Sequence, residues 1–464
     1  MKLSFFLFPL LFFSTLSAEI NIYSINMSGF SIGKCTDVWS EYTDSEGRCI
    51  KKLKTTSQMD IKRGNVNFSV SSRTILGVLC NTFEPVFIKT ETDQLGSKLT
   101  SKGFVKDNSF SYEISKNSNV ESDSFLLEKG VTFLTMILQK HSGAEIVKGF
   151  KAKVISEDSL TVKNVSVSGK KNKDGTVTAT IVYGGIPIEY VVKDHLVVSS
   201  SIKDGLITYS LDGYQFAKSD APKNEKKVDI MKTSSFKNKG LSIKRPRKTI
   251  KVTFDVKGSN IPEIISNCYQ SVKRSPGKKS VTIDSKKTPC FAVKPTEKDT
   301  AANIFEDSNS PKIIKAAKKI ARGENSNEKK IYKAVLFVYS HIKDKNYKHG
   351  NLSASEVLEK RSGDCTEHST LLAALLKAMK IPVRMAYGLV LDNSGTFFFH
   401  NWNEVYTEKG WFAVDSTFNQ MKADSSRIVI AYGGNTSASR EETAFAVMRF
   451  LNSVEIFASG YIYE

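Results

Sequence analysis

From Glu19 to about Phe216, apolar and polar residues alternate with a period near two, in runs such as Val162 to Ser168, Thr176 to Tyr183 and Ile186 to Ser199. Alternation of this kind sets one face of a strand against a core and the other in water. Lys173-Asp174-Gly175 parts two of the runs and predicts a hairpin turn. One helical pattern interrupts the strands over Val131 to His141, where Phe133, Leu134, Ile137 and Leu138 recur at helical spacing. The pattern predicts a curved antiparallel sheet with a helix packed against it.

After the strand-like run Thr249 to Val256 the period lengthens. Pro311 to Ala321 puts Ile313, Ile314, Ala317 and Ile320 on one helical face with lysines opposite, and Glu328 to Lys343 does the same with Ile331, Val335, Leu336 and Ile342. Ser353-Ala-Ser-Glu356 fits a capping box ahead of Val357 and Leu358. Leu371, Leu372, Leu375, Leu376 and Met379 mark the apolar face of a further helix that starts near Cys365. Three strands follow, Ile381 to Leu391, Thr396 to Thr407 and Gly410 to Phe418; the short turn Glu408-Lys409-Gly410 makes the second and third antiparallel neighbours. The fold class is α+β, a β-rich N-terminal domain followed by a domain that packs helices on an antiparallel sheet.

At 464 residues, 40% hydrophobic and 25% charged, the chain has ordinary globular composition, which excludes wholly disordered, collagen-like and disulfide-dense classes. Its first eighteen residues stand apart: Lys2, an apolar run from Phe5 to Phe13, then small residues up to Ala18. This is the pattern of a secretory signal peptide cut after Ala18. The run is shorter than the about 20 apolar residues that span a bilayer, and no later run is long enough. The mature chain is expected to be exported, periplasmic or extracellular, with no transmembrane segment. The resulting division is a signal peptide over 1–18, a β-rich domain over 19–216, a basic linker over 217–248 and a C-terminal domain over 249–464.

Export lets cysteines pair. The separations suggest bridges Cys35 with Cys49 and Cys268 with Cys290, among fifteen full pairings that six cysteines allow. Cys80, in the apolar run Ile75 to Phe83, reads as a buried small hydrophobe. Charge is concentrated as well: Lys218 to Lys251 holds twelve Lys or Arg against Asp220, Glu225 and Asp229, nine of the nineteen net positive charges. A solvated tether is the expectation, with attraction to a polyanionic component of the cell envelope as the functional alternative. Phe236 is the single aromatic between Phe216 and Phe254, which argues against a stacking surface for nucleic acid.

The chemistry lies between Arg361 and Asn419. Cys365 falls at a helix start, where orphan N–H groups and the positive end of the macrodipole favour the reactive thiolate. Gly363 would let a substrate backbone approach closely. A Cys nucleophile needs a base and the base an orienting acceptor. His400 and Asp415 stand on strands that can pair, and a helix across that sheet would bring Cys365 to His400.

Gly363-Asp-Cys365-Thr-Glu-His, Ile381-Pro-Val-Arg384, His400-Asn-Trp402-Asn-Glu404-Val-Tyr406 and Gly410-Trp411-Phe-Ala-Val-Asp415-Ser-Thr417 resemble the transglutaminase-like core, in the family's order and spacing, over about 300–420. The resemblance implies a papain-like fold with the Cys helix packed on the antiparallel sheet, Cys365 as nucleophile, His400 as general base and Asp415 as the residue that orients the imidazole. It implies acyl transfer from a side-chain or backbone amide of a protein or peptide, with the Cys365 N–H as one oxyanion donor. It also implies no cofactor and no metal. The chain departs from the pattern at Ser416, where a Pro commonly follows the Asp, and at Lys380, where a Gly usually closes the helix. It has no Trp between Trp39 and Trp402 and no acidic calcium loop, which favours a peptidase or amidase over a calcium-dependent cross-linking transglutaminase. A catalytically inactive binding or assembly module is the alternative from another class. Trp402 and Trp411 read as core packing. A Cys/His metal site built from Cys365 and His368 with His341 or His349 is disfavoured, since no paired ligand motif of zinc type appears. Opening on Met27-Ser-Gly-Phe-Ser-Ile-Gly33, the N-terminal domain resembles the half-barrel exported domains typified by periplasmic lipoprotein carriers.

Overall fold

The computed structural model describes residues 19–63, 66–202, 205–212, 229, 234–291, 293–346, 349–350, 352–433, 437–451 and 453–464. The signal-peptide segment 1–18 and most of the basic stretch, 213–228 and 230–233, lie outside the described residues.

Fifteen strands, from β1 (Glu19–Met27) to β15 (Ile207–Leu211), form one N-terminal sheet. Its order runs outward from β1 and β15, which pair in the middle, to β8 (Asn119–Leu126) at one end and β9 (Thr132–Phe133) at the other. Both ends share one apolar cluster. Phe110 of β7 (Ser109–Lys116) packs edge-on against Phe133 of β9 with ring centroids 6.4 Å apart. Leu76, Ile88 and Ile155 complete that core, joined by Ile304 and Phe305 from the C-terminal part of the chain.

Three local expectations need correction. The run Ile186 to Ser199 is two strands, Ile186–Lys193 and Leu196–Ile202, because Asp194 and His195 both take positive φ and close a two-residue turn between Lys193 and Leu196. Val131 to His141 is not one helix. It divides into β9, a 3-10 turn over Leu134–Met136 and the short α1 (Ile137–Lys140); a second helix, α2 (Gly143–Lys148), follows behind the Ser142–Glu145 capping box. The disulfide pairing also differs. In the β2 (Phe30–Thr43) and β3 (Cys49–Arg63) hairpin, Cys49 lies opposite Thr43, while Cys35, eight residues deeper, lies opposite Ser57. Cys49 instead bonds Cys80, at the end of β4 (Val66–Leu79), where the Cys80 N–H donates to the Cys49 carbonyl at 3.0 Å. Cys35 is buried outside any bridge, and burial together with Asp37 pushes its thiol up to about 12. Cys268–Cys290 is bridged as expected.

The C-terminal part holds two sheets. One orders β18 (Gln270–Ser275), β19 (Lys278–Asp284), β17 (Thr249–Lys257) and β24 (Glu455–Tyr463). The other orders β16 (Phe236–Lys237), β21 (Thr396–Thr407), β20 (Val383–Leu391) and β23 (Arg427–Gly433), with β22 (Gly410–Val414) also on β21. Trp402, Phe397, Phe254 and Ile428 fill the space between these sheets. A helical layer covers the other face: α3 (Pro311–Ala321), α4 (Asn327–His341), α5 (Ala354–Lys360) and α6 (Cys365–Ala378), whose Leu371, Leu372, Leu375 and Leu376 are all buried among them. The described end of the basic stretch is therefore no tether. Phe236 and Ile243 enter the core, and β16 pairs Phe236 with Phe397 on β21.

The two parts are docked through α7 (Ser437–Met448). Phe445 packs edge-on against Tyr183 at 4.8 Å, and Glu441 accepts from Ser156 at 2.6 Å and Ser159 at 2.7 Å. Lys116, fully buried in the N-terminal part, bridges to Glu356 on α5 at 3.1 Å. Among the described residues, no helix is long and apolar enough to cross a membrane.

Candidate active site

The site is built around the start of α6. Asp364 is the N-cap: its side chain accepts from Thr366 N at 2.8 Å, and Glu367 reaches back to accept from Asp364 N at 2.9 Å. This capping box satisfies two orphan donors and fixes the turn that presents Cys365 as the first helical residue. Gly363 has φ +151°, a conformation that L side chains rarely adopt, and a Cβ there would lie 2.3 Å from the Glu367 side chain. The space a side chain at Gly363 would need is taken by Glu367, while the Gly363 backbone lines the Cys365 cavity. At the far end of α6, Lys380 adopts φ +61°, the left-handed closing conformation, without a glycine.

β21 carries His400, and β22 leads to Asp415 immediately beyond its end. The third strand stops at Val414 rather than Phe418 because the Asp415 carboxylate accepts from Thr417 N at 2.9 Å and Phe418 N at 3.3 Å, turning the chain. His400 Nε2 donates to Asp415 Oδ2 at 2.8 Å, and both side chains are buried. The ring is flanked by Trp402, stacked at 6.0 Å, and Phe418 at 5.1 Å. With Nε2 engaged by the carboxylate, Nδ1 is the nitrogen left for the Cys365 side.

The helix is tied to this sheet by polar contacts. Asn401 Nδ2 donates to Thr366 Oγ1 at 3.1 Å, Asn403 Nδ2 to the Ser369 carbonyl at 3.1 Å, and the Ser416 hydroxyl to the His368 carbonyl at 3.3 Å. Ser416 thus does at this turn what a proline cannot. Cys365, half-buried and outside both disulfides, and His400 line one cavity of about 460 Å³ together with Gly363, Asp364, Phe398 and Phe418.

Sequence reasoning missed the groups behind Asp415. Arg427, at the start of β23, donates from Nη2 to Asp415 Oδ2 at 2.7 Å and from Nε at 3.2 Å, and pairs with Asp424 at 2.7 Å. Burial alone would raise the Asp415 pKa; the charges of His400 and Arg427 overcome it and hold the carboxyl far below its usual range. Asp424 is depressed in the same way by Arg427 and Arg247. The available signal was a lone Arg heading the apolar run Ile428-Val-Ile430, a charge that needs buried partners. Glu404, quoted from the His400 block, is structural: it accepts from Arg384 at 2.9 and 2.6 Å and from the Tyr432 hydroxyl at 2.9 Å. Trp402 and Trp411 are buried, and the Trp411 indole donates to the Val293 carbonyl at 2.7 Å.

His368 is anchored to the turn that caps α6. Its Nδ1 donates to the Asp364 carbonyl at 2.7 Å, and burial lowers its pKa to about 4, so the ring is neutral at pH 7. His341 donates to the Leu358 carbonyl at 2.7 Å and stacks on Phe337. Among the described residues the one cluster of possible ligands is Glu41, Cys49 and Cys80, of which the two cysteines are bridged.

Residues 314–416, the helix layer through Asp415, match the family model of the transglutaminase-like superfamily. The chain carries a transglutaminase-like domain. Among solved structures, a candidate cysteine protease from Cytophaga hutchinsonii is 16% identical, with 46% of this chain and 87% of that one covered, at a TM-score of 0.30. A candidate protease from Parabacteroides distasonis is 12% identical over 71% of this chain and 69% of that one, at 0.20. A β-barrel-like domain of unknown function from Brucella abortus is 11% identical over 42% of this chain and 95% of that one, at 0.30. At those scores they add no argument. No curated protein matches the chain. The match stands at the level of the superfamily and suggests cysteine-based hydrolase or acyltransferase chemistry.

Proposed function

We propose that the chain is an exported thiol enzyme that attacks protein or cell-wall peptide amides, with Cys365 as nucleophile, His400 as general acid and base, and Asp415 as the residue that orients the imidazole. The observation that carries this reading is the 2.8 Å His400–Asp415 hydrogen bond beside a helix N-terminal cysteine in one cavity. The Cys365 thiolate attacks the amide carbonyl, the C–N bond breaks, and the imidazolium gives its proton to the leaving amine. His400 then takes a proton from water as it attacks the thioester, which releases the acid and regenerates the thiol. An amine in place of water would give a cross-link; the missing upstream Trp and calcium loop favour water. The bridged pairs Cys49–Cys80 and Cys268–Cys290 suit an oxidising, extracytoplasmic location. There the basic run Lys218 to Lys251 would hold the enzyme near an anionic envelope component.

The test is the alkylation rate of Cys365 against pH, followed by peptide mass spectrometry, in the native protein and in His400→Ala. Fast reaction well below pH 8.5, lost without His400, is the expected result for an activated thiolate. An unreactive Cys365 in both proteins overturns the proposal.

A further inference from the structure

The charged groups that line the Cys365 cavity have partners inside the fold, with one exception. His400 is bound to Asp415, Arg247 pairs with Asp424 at 3.1 Å, and Asp364 caps α6. Asp392 accepts from Ser394 N at 2.9 Å and Thr396 N at 2.8 Å. Lys345 forms no ion pair with a carboxylate of the described residues. Its Nζ donates to the Thr417 carbonyl at 3.3 Å and stands 3.8 Å from the Tyr339 ring centroid. Thr417 belongs to the Asp415 turn and lines the same cavity, so this ammonium stands at the cavity wall. Desolvation lowers the Lys345 pKa and the Asp415 charge raises it, so this exposed ammonium feels a carboxylate that His400 and Arg427 already bind. Phe398, Phe399 and Phe418 give the same cavity an apolar side.

The geometry points to Lys345 as a specificity residue that pairs with a carboxylate of the substrate, so that the cavity takes an acidic peptide. This rests on the acyl-transfer reading of the same cavity. A substrate carboxylate in the cavity would give this ammonium a direct charge-assisted partner, which no carboxylate of the described residues supplies. The carboxylate belongs either to an acidic side chain or to a chain end; the recognition chemistry is shared.

Three thiol labels separate these sources: neutral chloroacetyl-glutamine amide, chloroacetyl-glutamate α-amide with a side-chain carboxylate, and chloroacetyl-glutamine with a free chain-end carboxylate. Their rates of attachment to Cys365 at pH 7 and low salt are compared in the full-length wild type, Lys345→Met, Lys345→Arg and Lys257→Met, the last on β17 in the other C-terminal sheet. The wild type should favour one anionic label over the neutral one by about tenfold, the effect of one charge-assisted contact. Lys345→Met should lose that preference, read as the ratio of anionic to neutral rates within each protein, while Lys345→Arg and Lys257→Met keep it. The favoured anion identifies the source. Equal rates for all three labels in the wild type, or a preference that survives Lys345→Met, overturn the inference. A Cys365 that fails to react even with the neutral label overturns the acyl-transfer reading, and this inference falls with it.

Discussion

Asn401 donates to the Thr366 hydroxyl across 3.1 Å, and these two residues directly follow His400 and Cys365. The contact joins the strand that bears the imidazole to the helix that bears the thiol, one residue beyond each. It therefore sets how the two reacting groups face each other, although neither of its members touches the substrate in the proposed reaction.

Asn401→Ala should lower kcat about 10- to 100-fold with little change in KM, because a misplacement of about 1 Å costs that much in a positioned pair. Steady-state kinetics and the thermal midpoint, measured together, separate this from unfolding. An unchanged kcat would show that α6 is held by its leucines alone.

Asp415→Asn removes the acceptor that fixes the His400 tautomer and one carboxylate facing Arg427. Activity should fall about 10⁴-fold. Stability to urea should fall by about 3 kcal/mol, since a buried arginine loses part of its pairing. Arg427→Lys should show a smaller loss on both measures, as it keeps the charge and gives up the two-nitrogen contact with Oδ2.

The buried groups also fix the acid side of the stability curve. His368 has a folded pKa near 4 against an ordinary value of 6.5, so between those pH values the unfolded chain binds more protons. Stability should decline as pH falls from about 6.5 to 4, and this contribution should level off below. Asp415 and Asp424 are depressed, so their contribution is complete above the ordinary carboxylate value of about 3.9 and declines as pH falls below it. Urea midpoints from pH 4 to 7 in His368→Asn, which can keep a donor toward Asp364 without titrating, should trace a flatter curve than the wild type.

A non-reducing peptide map should recover Cys49 joined to Cys80, with Cys35 unmodified until the protein is denatured. Cys49→Ser with Cys80→Ser should cost about 3–4 kcal/mol, the loop-closure value for the 31-residue separation. Recovery of a Cys35–Cys49 peptide would contradict the hairpin register.

Much of the C-terminal domain was legible in the chain, because its signals are local. The Ser353–Glu356 box, the lysine-backed faces of α3 and α4, and the leucine stripe of α6 each depend on residues three or four apart. The positions of Cys365, His400 and Asp415 could be read for the same reason: each stands in a short block of fixed spacing. What could not be read depends on distance along the chain. The disulfide partner of Cys49 was set by strand register rather than by the nearest cysteine. Lys193 to Leu196 turned where two positive φ values allowed it, which alternation cannot report. Arg427 reached Asp415, and Lys345 reached Thr417 72 residues away, only after the sheet and helices had packed. Side-chain periodicity determines which face of an element is buried; only tertiary packing decides which charges meet there, and therefore which of them remains for a substrate.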